Sequence, residues 1–255
     1  MIKKAKIIMI KKTKIIFIHI LGTISRFIMA IIPYEFRPKL INPINQMIED
    51  ETNKTIFKTF KEVFKTSLLF KDQLTIQKYA IETSLFNNKN NEYDNLEFGV
   101  WNGLSANLFS KYVKKLYAFD SFEGLEEDWG GKDLQKGTFN LNKKIPQLNS
   151  NVELVVGLVK DTLEDFLKKN NPKINFVHLD MDTYTPTKYT LERIKPYLVK
   201  DAIILFDQLY NYPGWEYGEY KALIEVFKPE EYIFKAIAIN KYEQAVIQIK
   251  IQKQD

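Results

Sequence analysis

The stretch INFVHLDMD (residues 174–182) decides the reading of the fold. A short apolar run closing on Asp180 and Asp182 suits a strand buried on both faces, as in a parallel sheet covered by helices. By strand alternation His178, Asp180 and Asp182 share a face while the strand lasts. His178 itself reads as a core histidine with its hydrogen bond satisfied. A second apolar run, AIILFD (202–207), ends on Asp207 and is followed by Gln208. Neighbouring strands lie about 4.8 Å apart, so the two strand ends can bring these side chains together. Three carboxylates and a carboxamide are hard oxygen donors, suited to Mg²⁺, Mn²⁺ or Ca²⁺ and not to zinc. Helix capping and pairing with lysines are the other uses open to them.

Working outward, strands and helices alternate. LEFGV (96–100), KLYAF (115–119) and VELVV (152–156) read as strands, with helices expected over 104–114, 161–170, 187–198 and 219–227. Asp161 is placed to cap the second of these helices. YIFKAIAI (232–239) and QAVIQIK (244–250) flank a short turn at Asn240-Lys241 and read as an antiparallel hairpin. Upstream, residues 54–70 put Ile56, Phe57, Phe60, Val63 and Phe64 on one helical face, and 74–86 present Leu74, Tyr79, Ala80 and Leu85. The expected fold class is α/β: a Rossmann-like, mostly parallel sheet of seven strands with an antiparallel last hairpin and helices on both faces. Ligands of such sheets bind at the carboxyl ends of the strands.

At the first strand end, Gly99 and Gly103 in GVWNG allow a tight turn and a close backbone approach to a ligand. The pattern is not GxGxxG, so a nicotinamide-type dinucleotide site is disfavoured. Asp120 ends the next strand 21 residues after Gly99, a spacing at which an acid can accept both hydroxyls of a ribose. Gly157-Leu158-Val159-Lys160-Asp161 follows the third strand, where an adenine ring would lie.

Composition narrows the chemistry. The 255 residues contain no cysteine and only two histidines, His19 and His178, which excludes disulfide scaffolds, zinc ribbons and thiol catalysis. With 45% hydrophobic and 27% charged residues the chain is globular. Its net charge of +5 is local: residues 1–47 hold nine Lys/Arg against one acid, Glu35, whereas 48–255 hold 28 bases and 31 acids. That balance argues against nucleic acid as a partner. The chain divides at this point into a basic, apolar arm (1–47) and a domain (48–255) with N-terminal helices (48–90). Residues 15–32 are long enough to span a membrane, yet His19 and Arg26 interrupt them. An in-plane helix of residues 1–32 on an anionic membrane, packing against a domain or second subunit, and a true span all remain open. With no convincing cleavage site after Ile32, the expected location is cytoplasmic, on the inner membrane face if the arm binds lipid.

Four motifs carry a family resemblance: LEFGVWNGLS, YAFDSFEGLEEDWGG with KGTFN, HLDMDTYTPT and ILFDQLYNYPGWEYGEYKAL. Together they resemble the macrocin O-methyltransferase-like family of class I S-adenosylmethionine (SAM)-dependent methyltransferases over about residues 75–250. The resemblance implies that Glu97, Gly99 and Gly103 shape the methionine end of a SAM pocket and that Asp120 holds the ribose. Ser105, Ser121, Val159 and Asp180 join them as cofactor contacts. Residues 121–139 look like the family's mobile substrate lid. The metal set implied is Asp180 or Asp182 with Asp207 and Gln208, although many relatives carry Asp-Asp where this chain has Asp207-Gln208. Asp182, then Asp207, are the candidates for the catalytic base, and Tyr184, Tyr210 and Trp215 for the acceptor wall. The function implied is O-methylation of a sugar, glycan or natural-product hydroxyl, by a homo-oligomer. The competing reading is a membrane-tethered scaffold that keeps the fold without turnover.

Overall fold

The computed structural model describes residues 43–87, 93–228 and 230–251. The arm's residues 1–42, and with them the membrane expectation for 15–32, lie outside the described residues. Among the described residues no helix is long and apolar enough to cross a membrane. The compact unit that carries the sheet spans residues 52–255.

In chain order the elements are α1 (Pro43–Thr66), β1 (Leu68–Phe70), α2 (Gln73–Asn87), β2 (Asp94–Phe98), α3 (Leu104–Phe109), β3 (Leu116–Asp120), β4 (Val152–Val156), α4 (Val159–Asn170), β5 (Ile174–Leu179), α5 (Tyr184–Ile194), β6 (Leu198–Phe206), α6 (Glu219–Val226), β7 (Tyr232–Asn240) and β8 (Ala245–Ile251). They build one eight-stranded sheet of order β1-β7-β8-β6-β5-β2-β3-β4. Only β8 runs antiparallel to its neighbours, inserted between β6 and β7.

The expected hairpin and parallel core are therefore present, with one strand more than the seven expected. The helix expected over 54–70 ends at Thr66, and Leu68–Phe70 pairs in parallel with β7 from Ala238 to Asn240. An edge pairing with a segment far along the chain overrides local helical periodicity there. Three further boundaries differ. Helix α3 stops at Phe109, the segment read as a helix over 187–198 is α5 plus a 3₁₀ turn (Lys195–Tyr197), and α4 begins at Val159. Asp161 therefore lies inside the first turn of α4, where it meets the helix dipole instead of capping.

Strand alternation sorts the core into two layers. Phe98, Val177, Leu179, Ile204 and Phe206 pack with α1, α4, α5 and α6. Phe176, Ile203 and Leu205 point the other way, against α2 and α3. On α1, Ile56 and Phe60 are buried while Phe57 stays exposed, and α2 buries Ile76, Ala80 and Ile81 but not Leu74. The chain runs outward from β2 through β3 to β4, then returns to place β5 on the other side of β2. That reversal is the topological switch point, where strand-end loops diverge and leave a crevice.

Candidate active site

Backbone bonds tie the strand ends together sideways: the Gly99 amide donates to Phe119 O, Asp180 to Phe98 O, and Asp207 to Leu179 O. At the switch point Gly99 takes φ +91°, and a Cβ there would lie 1.8 Å from the Asp180 carbonyl oxygen. Glycine is therefore required twice over, by conformation and by space.

Asp120 holds the turn that follows. Its Oδ2 accepts the amides of Val100 (2.7 Å) and Trp101 (2.8 Å), and its Oδ1 accepts that of Phe122 (2.6 Å). A carboxylate has about four acceptor positions, so one remains on Oδ1. Asp120 can thus take one ribose hydroxyl, whereas the sequence spacing suggested two. The clamp also holds Trp101 at φ 45°, a left-handed conformation uncommon for a bulky residue.

One cavity of ≈ 430 Å³ opens at these strand ends. Of the residues singled out from sequence, Gly99, Asp120, Ser121, Val159, Asp180, Asp182, Asp207 and Gln208 line it together. Glu97, Gly103 and Ser105 do not. Glu97 is fully buried beneath the turn, and the Cα of Gly103 faces Leu148 and Pro146.

Beyond the Gly99 turn the cavity is acidic. Asp182 takes φ 63°, so it leaves the strand alternation that would have aligned it with Asp180. Asp207 is surrounded by carboxamides: its Oδ2 accepts Gln208 Nε2 at 2.6 Å, and its Oδ1 accepts Gln73 Nε2 at 3.2 Å and Gln244 Nε2. Gln208 Nε2 also reaches Asp180 Oδ1 at 3.4 Å. Burial, then repulsion from Asp207, pushes the Asp180 carboxyl up to about 8. Burial and the charge of Asp180 lift Asp182 well above the carboxylate range. A further acid, Glu219, went unnoticed in the sequence. It is fully buried, accepts the Gln208 amide at 3.0 Å and is lifted by burial.

His178 is the core histidine expected, with an additional role. Its Nδ1 lies 3.0 Å from Glu97 Oε1 and its Nε2 3.5 Å from Asp207 Oδ1. Burial opposes its charge, but the Asp207 and Glu97 carboxylates outweigh it and push the imidazole up to about 10. His178, Asp180 and Asp207 place ligand atoms within 4.8 Å of one another. An imidazolium donates no lone pair, however, so the oxygen donors are the relevant ones. Gln208 Oε1 is buried and accepts no hydrogen bond. An orphaned carboxamide oxygen beside crowded carboxylates fits a hard divalent cation.

Tyr184, Tyr210 and Trp215 do not line the cavity. Tyr210 and Trp215 are buried against Phe60, with ring centroids 5.2 and 5.3 Å away, and Tyr184 donates to Glu225. Trp101, Trp129, Lys132, Phe139 and Glu243 line the cavity instead. Lys132 and Glu243 form a 2.5 Å ion pair across 111 residues, with Lys132 4.9 Å from the ring centroids of both Trp129 and Tyr212. Residues 121–139 are held at several points. Glu126 pairs with Lys160, Glu127 accepts the amide and hydroxyl of Thr185, and Gly131 packs against the Pro213 carbonyl.

A mostly parallel sheet with a reversed last strand, a glycine turn at its switch point and acidic strand ends around one cavity defines a class I SAM-dependent methyltransferase. Residues 96–209 match the family model described as a methyltransferase domain. Its four motifs resemble the macrocin O-methyltransferase-like family of these enzymes. No curated protein matches it significantly. Among solved structures it is similar to the calicheamicin methyltransferase CalS11, at 21% identity and a TM-score of 0.56 over 84% of this chain and 94% of that one. An apo structure of CalS11, described as a TDP-rhamnose 3′-O-methyltransferase, aligns with a TM-score of 0.50 at 20% identity over 84% and 96%. The O-methyltransferase NovP aligns with a TM-score of 0.53 at 18% identity, covering 70% of this chain and 79% of that one. At these identities the likeness is one of fold.

Proposed function

We propose that the chain moves the methyl group of SAM to a hydroxyl oxygen of a sugar, glycan or natural-product acceptor, with a divalent cation, Mg²⁺ or else Mn²⁺ or Ca²⁺, at its acidic strand ends. The observation that carries this reading is the single cavity shared by Gly99, Asp120, Ser121 and Val159 at one end and Asp182, Asp207 and Gln208 at the other. A cofactor held at the first end presents its sulfonium to an acceptor held at the second. The sugar-modifying CalS11 and the O-methyltransferase NovP, similar in fold, support a hydroxyl acceptor. The tethered-scaffold alternative is not favoured.

The transfer is an in-line displacement: the acceptor oxygen bonds to the methyl carbon as the carbon–sulfur bond breaks, and its proton passes to a base. Asp182 is the better base, because a carboxylate whose proton affinity is raised by burial and like charge takes a proton readily. Asp207 is instead held in place by three carboxamides, those of Gln73, Gln208 and Gln244. Asp180, Asp182, Asp207 and Gln208 Oε1 would hold the cation. When bound, such an ion holds two neighbouring hydroxyls and lowers the pKa of one.

The test is calorimetric titration of SAM with and without Mg²⁺, followed by transfer of labelled methyl from SAM to a panel of glycosides. Micromolar SAM binding and label in an O-methyl ether are expected. Absence of SAM binding under both conditions would remove the assignment.

A further inference from the structure

Accepting that transfer reading, we infer that the acceptor carries no phosphate: the cavity selects an uncharged hydroxylated ring, and Glu126, Glu127 and Glu243 are the residues that turn anionic acceptors away. The inference rests on where the cations are. Among the described residues that line the cavity, Lys132 is the only base, set against Asp120, Glu126, Asp180, Asp182, Asp207 and Glu243. Lys132 is already bonded to Glu243 at 2.5 Å, with each side chain 24% exposed. Lys160, close by, is bonded to Glu126 at 3.0 Å. His178, beneath the floor, lies between Glu97 and Asp207. A helix amino terminus could also hold a phosphate, but that of α5 is filled. Glu127 accepts the Thr185 amide at 2.9 Å and its hydroxyl at 2.7 Å. At the start of α4, Asp161 lies in the first turn.

Lys132, Lys160, His178 and the α5 amino terminus are therefore each already met by one of the chain's own carboxylates. Six acids and one paired base line the cavity, so an added dianion meets repulsion that no unpaired base among the described lining residues relieves. A neutral polyol meets the reverse situation. The Lys132 ammonium donates and the Glu243 carboxylate accepts, side by side, and a sugar hydroxyl both donates and accepts. This departs from CalS11, whose described acceptor is the nucleotide sugar TDP-rhamnose.

Calorimetry on the full chain saturated with S-adenosylhomocysteine tests the inference, with thymidine diphosphate as the probe, in buffers with and without Mg²⁺. The wild type is expected to show no saturable binding up to about 1 mM. The double variant Glu126→Gln/Glu243→Gln, with Lys160 and Lys132 freed, is expected to bind the probe at least about tenfold more tightly. Wild-type binding tighter than about 1 mM in either buffer overturns the inference. So does a folded double variant that gains nothing, because the carboxylates would then not be what excludes the anion. If the double variant melts early, the single variant Glu243→Gln carries the second comparison. Loss of S-adenosylhomocysteine binding itself would strike the methyltransferase reading and not this one.

Discussion

Nδ1 of His178 lies 3.0 Å from Oε1 of Glu97, and neither side chain has any exposure to solvent. With Nε2 3.5 Å from Asp207 Oδ1, one buried imidazolium joins the end of β2 to the end of β6. Glu97 thus lies buried beneath the Gly99 turn, held by His178. Removing the cation leaves two carboxylates without a counter-charge, which typically costs about 3–5 kcal/mol. His178→Phe is expected to lose stability on that scale in urea unfolding, and a loss under about 1 kcal/mol would contradict the ion-pair description.

The same residues set a pH dependence. His178 is raised to about 10 in the fold, against about 6.5 unfolded, so its contribution is complete below pH 6.5 and disappears as pH rises through 10. Asp180, raised to about 8 from about 3.9, keeps a proton that the unfolded chain has lost. Its contribution is likewise lost as pH rises through 8. Both act in one direction, so melting temperature in chelator is expected to fall between pH 6.5 and pH 9.5. Asp180→Asn should flatten part of the slope. A melting temperature that climbs over this interval would refute the assignment.

Asp120→Ala removes the contacts to the Val100, Trp101 and Phe122 amides as well as the remaining acceptor position on Oδ1. Its SAM affinity is expected to drop by about tenfold or more, the effect of losing charge-assisted hydrogen bonds. Asp207→Asn should keep that affinity and lose methyl transfer. Calorimetry on the two variants separates the ends of the cavity, and equal SAM affinity in both would merge them.

Gly99→Ala introduces a Cβ 1.8 Å from the Asp180 carbonyl oxygen, at φ +91°. Backbone would have to move at the switch point. Loss of SAM binding is expected, with a melting temperature several degrees lower. Retention of both would mean that β2 and β5 do not meet as described.

The arm makes a separate prediction. Six lysines in the first fourteen residues should bring the chain to vesicles rich in phosphatidylserine at low salt. The association should weaken by 0.5 M salt and vanish when residues 1–32 are deleted. Sedimentation with neutral vesicles to the same extent would rule out the electrostatic account.

Much of this was legible in the sequence because it is local. Apolar runs ending in Asp120, Asp180 and Asp207 mark strand ends, and parallel strands put their ends on one edge. The aromatic wall was misplaced for the opposite reason. Tyr210 and Trp215 follow a strand end as acceptor contacts would, but α1 supplies Phe60 and draws both into the core. Trp129 and Lys132 stood in the loop read as a lid, without a signal to separate them from its other residues. Glu243 sat in a hairpin turn whose return toward the cavity no periodicity reveals.

The sequence by itself determined the class: the alternation of elements, the glycine turn, and the acidic residues at successive strand ends. These follow from short-range rules of period, turn and strand direction. Only the tertiary structure decided which side chains meet. His178 finds Glu97 across 81 residues, and Lys132 finds Glu243 across 111. Such pairs form because the sheet order β6-β5-β2 and the closing hairpin bring remote strand ends within a few ångströms. Nothing in either local stretch encodes its partner, so the charge of the cavity was settled only when the chain closed around it.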